Sequence, residues 1–123
     1  LKASDVAFSI NRIKDPAIAS PRSGDFEVVS SIEAPDNSTV VFTLTSPFSP
    51  LLSKLAQSLN VIVSETVATA NNNDLNNVVV GTGPFTFVEY VPQTKLELAK
   101  NPNFWGTDAD GNQLPYLDGI LFQ

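Results

Sequence analysis

Phe26-Glu27-Val28-Val29-Ser30-Ser31-Ile32-Glu33-Ala34 is followed by Pro35-Asp36-Asn37-Ser38 and then by Thr39-Val40-Val41-Phe42-Thr43-Leu44-Thr45. On both sides of the central four residues the pattern has a period of two. Phe26, Val28, Ser30, Ile32 and Ala34 fall on one side of the first segment, with Glu27, Val29, Ser31 and Glu33 on the other. Val40, Phe42 and Leu44 share one side of the second. Successive side chains of a strand point to opposite faces, so such alternation marks a strand with one buried face. Asp and Asn side chains bond the backbone two residues on and favour a turn between the two runs. The stretch therefore reads as a β-hairpin.

Upstream, the period lengthens to that of a helix. Ser4 reads as an N-cap with Asp5 in the positive first turn, and the helix continues to about Lys14. Val6, Ile10 and Ile13 share one face, while Phe8 lies on the opposite side, which predicts a helix sandwiched between layers. Pro16 helps to stop it, and residues 16 to 24 form a loop. Downstream of the hairpin, Ser49-Pro50 reads as N-cap and first residue of a second helix. Leu51, Leu52, Leu55, Ala56 and Leu59 give that helix an apolar stripe. Val61-Ile62-Val63 reads as a short buried extended segment, and Ser64 as the cap of a brief helix through Ala70. Asn71 to Asn77 reads as an exposed loop, because Asn and Asp compete for backbone hydrogen bonds.

A second hairpin is expected from Pro84 to Val91 and Lys95 to Lys100, around Pro92-Gln93-Thr94. Phe85, Phe87 and Val91 share one face of its first strand. Asn101-Pro102-Asn103 forms a turn that presents Phe104 and Trp105, and Trp105 is expected in the core, packed near Phe85 or Phe87. Asp118-Gly119 leads into a last strand at Ile120-Leu121-Phe122. The whole is mixed α+β with antiparallel ribbons.

Composition excludes several functions. Seven Lys and Arg against thirteen Asp and Glu give a net charge of −6, so no basic patch suits nucleic acid or an anionic membrane surface. The absence of His and Cys removes thiol and imidazole nucleophiles, the triads built on them, their zinc sites and disulfides. No apolar run approaches the ~20 residues of a membrane helix.

Three short patterns carry weaker signals. Gly81-Thr82-Gly83-Pro84 lacks the third glycine of a dinucleotide loop and the Gly-Lys-Ser/Thr of a P-loop, and a strand follows it. It reads as a tight crossing that uses the positive φ open to glycine. Asp108, Asp110 and Asn112 match the first half of a calcium loop, but Gln113 and Gly119 stand where a glycine and a bidentate glutamate belong. A turn is the simpler reading. Glu27, Glu33, Glu65, Glu89 and Glu97 are scattered, with no spacing that pairs two of them for acid–base work. No cofactor is expected.

Five strings together resemble the family 5 extracellular solute-binding proteins of bacterial ABC importers. They are Leu1-Lys2-Ala3-Ser4-Asp5-Val6-Ala7-Phe8-Ser9; Ala34-Pro35-Asp36-Asn37-Ser38-Thr39-Val40-Val41-Phe42-Thr43-Leu44; Gly81-Thr82-Gly83-Pro84-Phe85; Asn101-Pro102-Asn103-Phe104-Trp105-Gly106; and Leu114-Pro115-Tyr116-Leu117-Asp118. They occur in the family's order and span essentially the whole chain. The resemblance implies an internal portion of a type II periplasmic-binding-protein-like fold. Residues 1–80 would belong to the extra subdomain of the first lobe and residues 81–123 to that lobe itself. The preceding N-terminal strands and the second lobe would be absent.

The resemblance also implies an extracytoplasmic protein (periplasmic, secreted or lipid-anchored) that captures a solute without catalysis and delivers it to an ABC permease. Peptides lead as the solute, ahead of nickel chelates and oligosaccharides. The alternative is a structural or assembly module with no ligand site of its own. Two loops would approach the cleft: Ser20-Pro21-Arg22-Ser23 and Ser58-Leu59-Asn60. Arg22 would meet a carboxylate, Ser58 and Asn60 would exchange hydrogen bonds with the solute, and Ser23 would be a further ligand-binding residue of the first loop. Surfaces left open by missing partners, at Phe8 and at the last strand, predict self-association as a homo-oligomer.

Overall fold

A computed structural model describes residues 1–75 and 78–123. Of the expected loop at 71–77, Asn76 and Asn77 lie outside the described residues. The elements are α1 (Ala3–Lys14), a 3-10 turn (Ser23–Phe26), β1 (Val29–Glu33), β2 (Val41–Leu44), α2 (Leu51–Leu55), α3 (Glu65–Ala70), β3 (Phe85–Val91), β4 (Lys95–Lys100) and β5 (Gly119–Phe122). The chain divides into two compact units, Leu1–Asp74 and Leu75–Gln123.

In the first unit α1 begins earlier than expected. Lys2 is its extended cap residue, and Ser4 is already inside the helix. Asp5 holds this end instead: its carboxylate accepts the Lys2 N–H at 2.7 Å and the Glu65 N–H at 2.9 Å, tying the start of α1 to the start of α3. Burial pushes the Asp5 carboxyl up, but the N–H groups of Glu65 and Lys2 outweigh it and hold it below the usual range. Ser9 is buried one turn on. Its hydroxyl donates to the Asp5 carbonyl at 2.6 Å and accepts the Val63 N–H at 2.9 Å. This docks the 61–63 segment through Val63, and Ile62 packs on the core while Val61 faces solvent. The expectation that the whole segment is buried therefore fails at Val61. Ser64 caps α3 as expected, its hydroxyl accepting the Val67 N–H at 3.4 Å.

Ile10, Ile13, Phe26 and Val29 form the buried core, with Ile32, Phe42, Leu44, Leu51, Leu55 and Ile62 packed against it. Phe8 is half-buried and lines a shallow hollow with Arg12, Asp15, Ile18 and Asn73, outside that core.

The first hairpin forms, but its parity differs from simple alternation. Phe26 ends the 3-10 turn and is not in the strand. Val29 pairs with Leu44, Ser31 with Thr43, Ile32 with Phe42 and Glu33 with Val41, leaving Ser30 as the extra residue of a bulge. The bulge brings an odd and an even position, Val29 and Ile32, onto the core side. Asp36 Oδ1 accepts the N–H groups of Ser38 and Thr39, both at 2.8 Å, and makes the expected turn. The second helix is only five residues long. Leu51 and Leu55, one turn apart, reach the core, whereas Leu52 and Leu59 are exposed, so the five-residue stripe is not realised.

In the second unit β3, β4 and β5 form an antiparallel sheet in that order. The β3–β4 hairpin turns through Gln93 at φ 59°. Phe87 pairs with Leu98 and Glu89 with Glu97, so Val88 is a second bulge residue. Like charges at Glu89 and Glu97 face each other directly, and Lys95 Nζ offsets them from 2.6 Å and 3.3 Å. Gly119 pairs with Ala99 and Ile120 with Leu98. Among the described residues the glycine with positive φ is Gly111, so Gly81 and Gly83 do not use that freedom. The entry to β3 is held instead by Asn101, whose Nδ2 donates to the Gly83 carbonyl at 2.8 Å.

Trp105 is not in the core. It is 81% exposed and meets the ring of Phe104 at a centroid distance of 5.4 Å. Adjacent side chains outside a helix point different ways, and here Phe104 takes the inner place. Trp105→Ala is accordingly expected to change stability by no more than about 0.5 kcal/mol. A thermal melt followed by circular dichroism checks this, and a large drop in Tm would show that the indole carries packing energy.

Candidate functional site

The two loops singled out in the sequence lie in the first unit. The first is shaped by the 3-10 turn: Phe26, fully buried, anchors its end and fixes Asp25 beside the core. The second follows α2, where Gln57 accepts the Asn60 backbone N–H at 2.9 Å and brings Asn60 back under the helix.

Asp25 joins them. Its Oδ1 accepts Lys54 Nζ at 2.7 Å. Its Oδ2 accepts Arg22 Nη2 at 2.7 Å and Asn60 Nδ2 at 3.1 Å. Asn60 Nδ2 also donates to the Lys54 carbonyl at 2.8 Å. The Asp25 side chain is 10% exposed, and those of Arg22 and Lys54 are 29% and 32% exposed, so the two cations show one flank each to solvent. Hydrogen bonds from Lys54, then Arg22, then Asn60 hold the Asp25 carboxyl far below the usual carboxylate range. Asn60 is buried at 2% exposure, and among the described residues its Oδ1 and the Nε of Arg22 find no partner.

The structure thus brings Arg22 and Asn60 together, through a carboxylate that the sequence reading did not include. Ser23 follows Arg22 in the chain and Ser58 lies two residues before Asn60; both are exposed, and neither takes part in the hydrogen bonds around Asp25 described above. Asp25 and Lys54 were missed. The available signals were an acid three residues after Arg22 and a lysine inside a leucine-rich helix. The cluster carries one net positive charge and several hydrogen-bonding groups, which suits recognition of a polar or anionic group.

The half calcium pattern is used internally. The Asp108 carboxylate accepts the N–H groups of Asp110 at 2.9 Å and Asn112 at 2.7 Å, the Asn112 side chain at 2.9 Å and the Tyr116 hydroxyl. The Tyr116 hydroxyl, then Asn112, draws its pKa down to about 2. Among the described residues no group of three or more acidic side chains is placed to hold a metal. In the second unit a hollow of about 670 Å³ lies along the sheet, lined by apolar residues that include Phe87, Tyr90, Leu96 and Leu98. None of Arg22, Ser23, Ser58 or Asn60 borders it.

The family described as bacterial extracellular solute-binding proteins, family 5 (middle region), matches residues 1–123, and the chain belongs to it. It is a family of binding proteins, in agreement with the expectation of solute capture without catalysis. Among its relatives, di/tripeptide-binding protein 2 of Pseudomonas aeruginosa is 31% identical over 119 residues, covering 84% of this chain and 22% of that protein. The binding protein AgaA of A. tumefaciens R10, solved with agropinic acid, superimposes with a TM-score of 0.86 at 28% identity, over 98% of this chain and 24% of its own. The periplasmic binding protein DppA of Helicobacter pylori, solved with the peptide STSA, gives a TM-score of 0.75 at 34% identity, over 98% of this chain and 25% of its own. The α+β arrangement is therefore that of part of a periplasmic binding protein. The chain spans about a quarter of the length of the relatives it matches.

Proposed function

We propose that this chain supplies one wall of the solute cleft in the extracytoplasmic binding component of an ABC importer, and that its solute is a peptide. The observation that carries the reading is the joining of Arg22 and Asn60, from two separate loops, around Asp25. Peptide capture follows the relatives named for di- and tripeptides and solved with a bound peptide. In this reading residues 1–80 belong to the extra subdomain of the first lobe and 81–123 to the lobe itself. A membrane permease is the partner that receives the solute, and the protein works in the periplasm or at the cell surface.

A single wall makes only part of the contacts and excludes little water. The expected affinity of this chain for a short peptide is therefore about millimolar or weaker, near −4 kcal/mol. Titrating the nitrogen-15-labelled chain with Ala-Ala and Ala-Ala-Ala, and following amide shifts by NMR, tests this. Shifts should centre on Arg22, Ser23, Ser58 and Asn60. No shifts at concentrations about tenfold higher, or shifts confined to the hollow of the second unit, would overturn the assignment.

A further inference from the structure

We propose that Asp25 is a positioning residue, whose carboxylate fastens the loop at residues 20–26 to the segment at 54–60 and so fixes how Arg22 and Asn60 are presented to the solute. The proposal rests on the reading of these loops as one wall of a cleft. Both oxygens of the carboxylate are used, one by Lys54 and the other by Arg22 and Asn60 together. Both N–H donors of the Asn60 amide are committed, one to Asp25 and one to the Lys54 carbonyl. That settles which way the amide faces, since each of these partners can only accept.

The backbone holds these groups only locally, through the Asn60 N–H on the Gln57 carbonyl and the Arg22 N–H on Ser20, whereas Asp25 bonds all three side chains across the two loops. Lys54 sits on a helix of five residues, too short to be rigid by itself. Arg22 precedes the 3-10 turn in an irregular loop. Without a carboxylate between them, Arg22 and Lys54 are two like charges drawn to one spot, and they would separate. Asp25 is fit for the task because Phe26, the next residue, is locked in the core. A neutral amide at this position offers one acceptor atom to three donors and turns its own NH2 toward a cation. Fixing the loops in advance removes an ordering cost from solute binding.

The test uses the 123-residue chain with Asp25→Asn and Asp25→Glu, followed by NMR hydrogen exchange at the Asn60 side-chain amide and by the Arg22 Nε–H signal. Asp25→Asn should keep a cooperative melt, yet exchange at the Asn60 amide should rise at least tenfold and the Arg22 signal should move. Asp25→Glu, which keeps the charge, should restore part of both. The Ala-Ala shifts should weaken at least several-fold in Asp25→Asn and recover in step with the Asn60 amide in Asp25→Glu. Should Asp25→Asn fail to fold, Lys54→Met breaks one arm alone, and faster Asn60 exchange is again expected. Unchanged Asn60 exchange and an unmoved Arg22 signal in the folded variant overturn the proposal. So does peptide binding that is unaffected where the Asn60 amide has been released. The exchange arm needs no solute. A wild-type chain that ignores peptides but shows the exchange pattern counts against the cleft reading and leaves the fastening role of Asp25 supported.

Discussion

Phe26→Ala should take most of the stability of the first unit and leave it close to unfolding. The ring is fully buried and lies at the centre of the cluster formed with Ile10, Ile13 and Val29. Removing it forfeits the transfer energy of the ring and leaves a cavity, for a loss of about 3–5 kcal/mol. Whole domains hold only about 5–15 kcal/mol in reserve, and a unit this small sits at the lower end. Urea denaturation followed by circular dichroism measures the loss. Phe87→Ala serves as the comparison, since Phe87 is 37% exposed and should cost far less. Equal midpoints for the two variants would mean that the core is not centred on Phe26.

Gly119→Ala should detach β5 from the sheet. A β-carbon at Gly119 would stand 2.7 Å from the Leu98 carbonyl oxygen, and that atom belongs to the neighbouring strand's backbone. Backbone cannot swing aside as a side chain does, so β4 and β5 must part locally. Forced overpacking of this kind costs about 1–3 kcal/mol. Hydrogen exchange by NMR should show Ile120 to Phe122 losing protection while the β3–β4 amides keep theirs. Gly106→Ala is the contrast. There the close neighbour at 2.6 Å is the Phe104 ring, which can rotate away. Retained protection across β5 in Gly119→Ala would contradict the close approach.

Much of the fold was legible because its signals are local. The bounds of β3 and β4, the Ser64 cap and the Asp36 turn each depend on residues within a few positions of one another. Trp105 was misplaced because size and hydrophobicity say that a ring is worth burying, and not which of two adjacent rings goes inward. The face of β1 was misassigned because a bulge has no signature in an alternating pattern; Ser30 looks like any other outward position. The loops of the candidate site came from resemblance, since nothing in their periodicity or charge sets them apart. That Asp25 links them was invisible for another reason. The hydrogen bond from Asn60 spans 35 positions, and it exists only once Phe26 and α2 have found the same core.

Ser30 and Val88 have a consequence for how this sequence can change over time. Each is the unpaired residue of a bulge, one in either hairpin. In an ordinary strand, losing one residue rotates every later side chain to the other face, so such a deletion is purged. At Ser30 and Val88 the extra residue has no counterpart across the ladder. A chain one residue shorter at Ser30 keeps Val29 opposite Leu44 and Ile32 opposite Phe42; one shorter at Val88 keeps Phe87 opposite Leu98 and Glu89 opposite Glu97. These two positions are where length can drift in evolution while the inward and outward faces stay as they are.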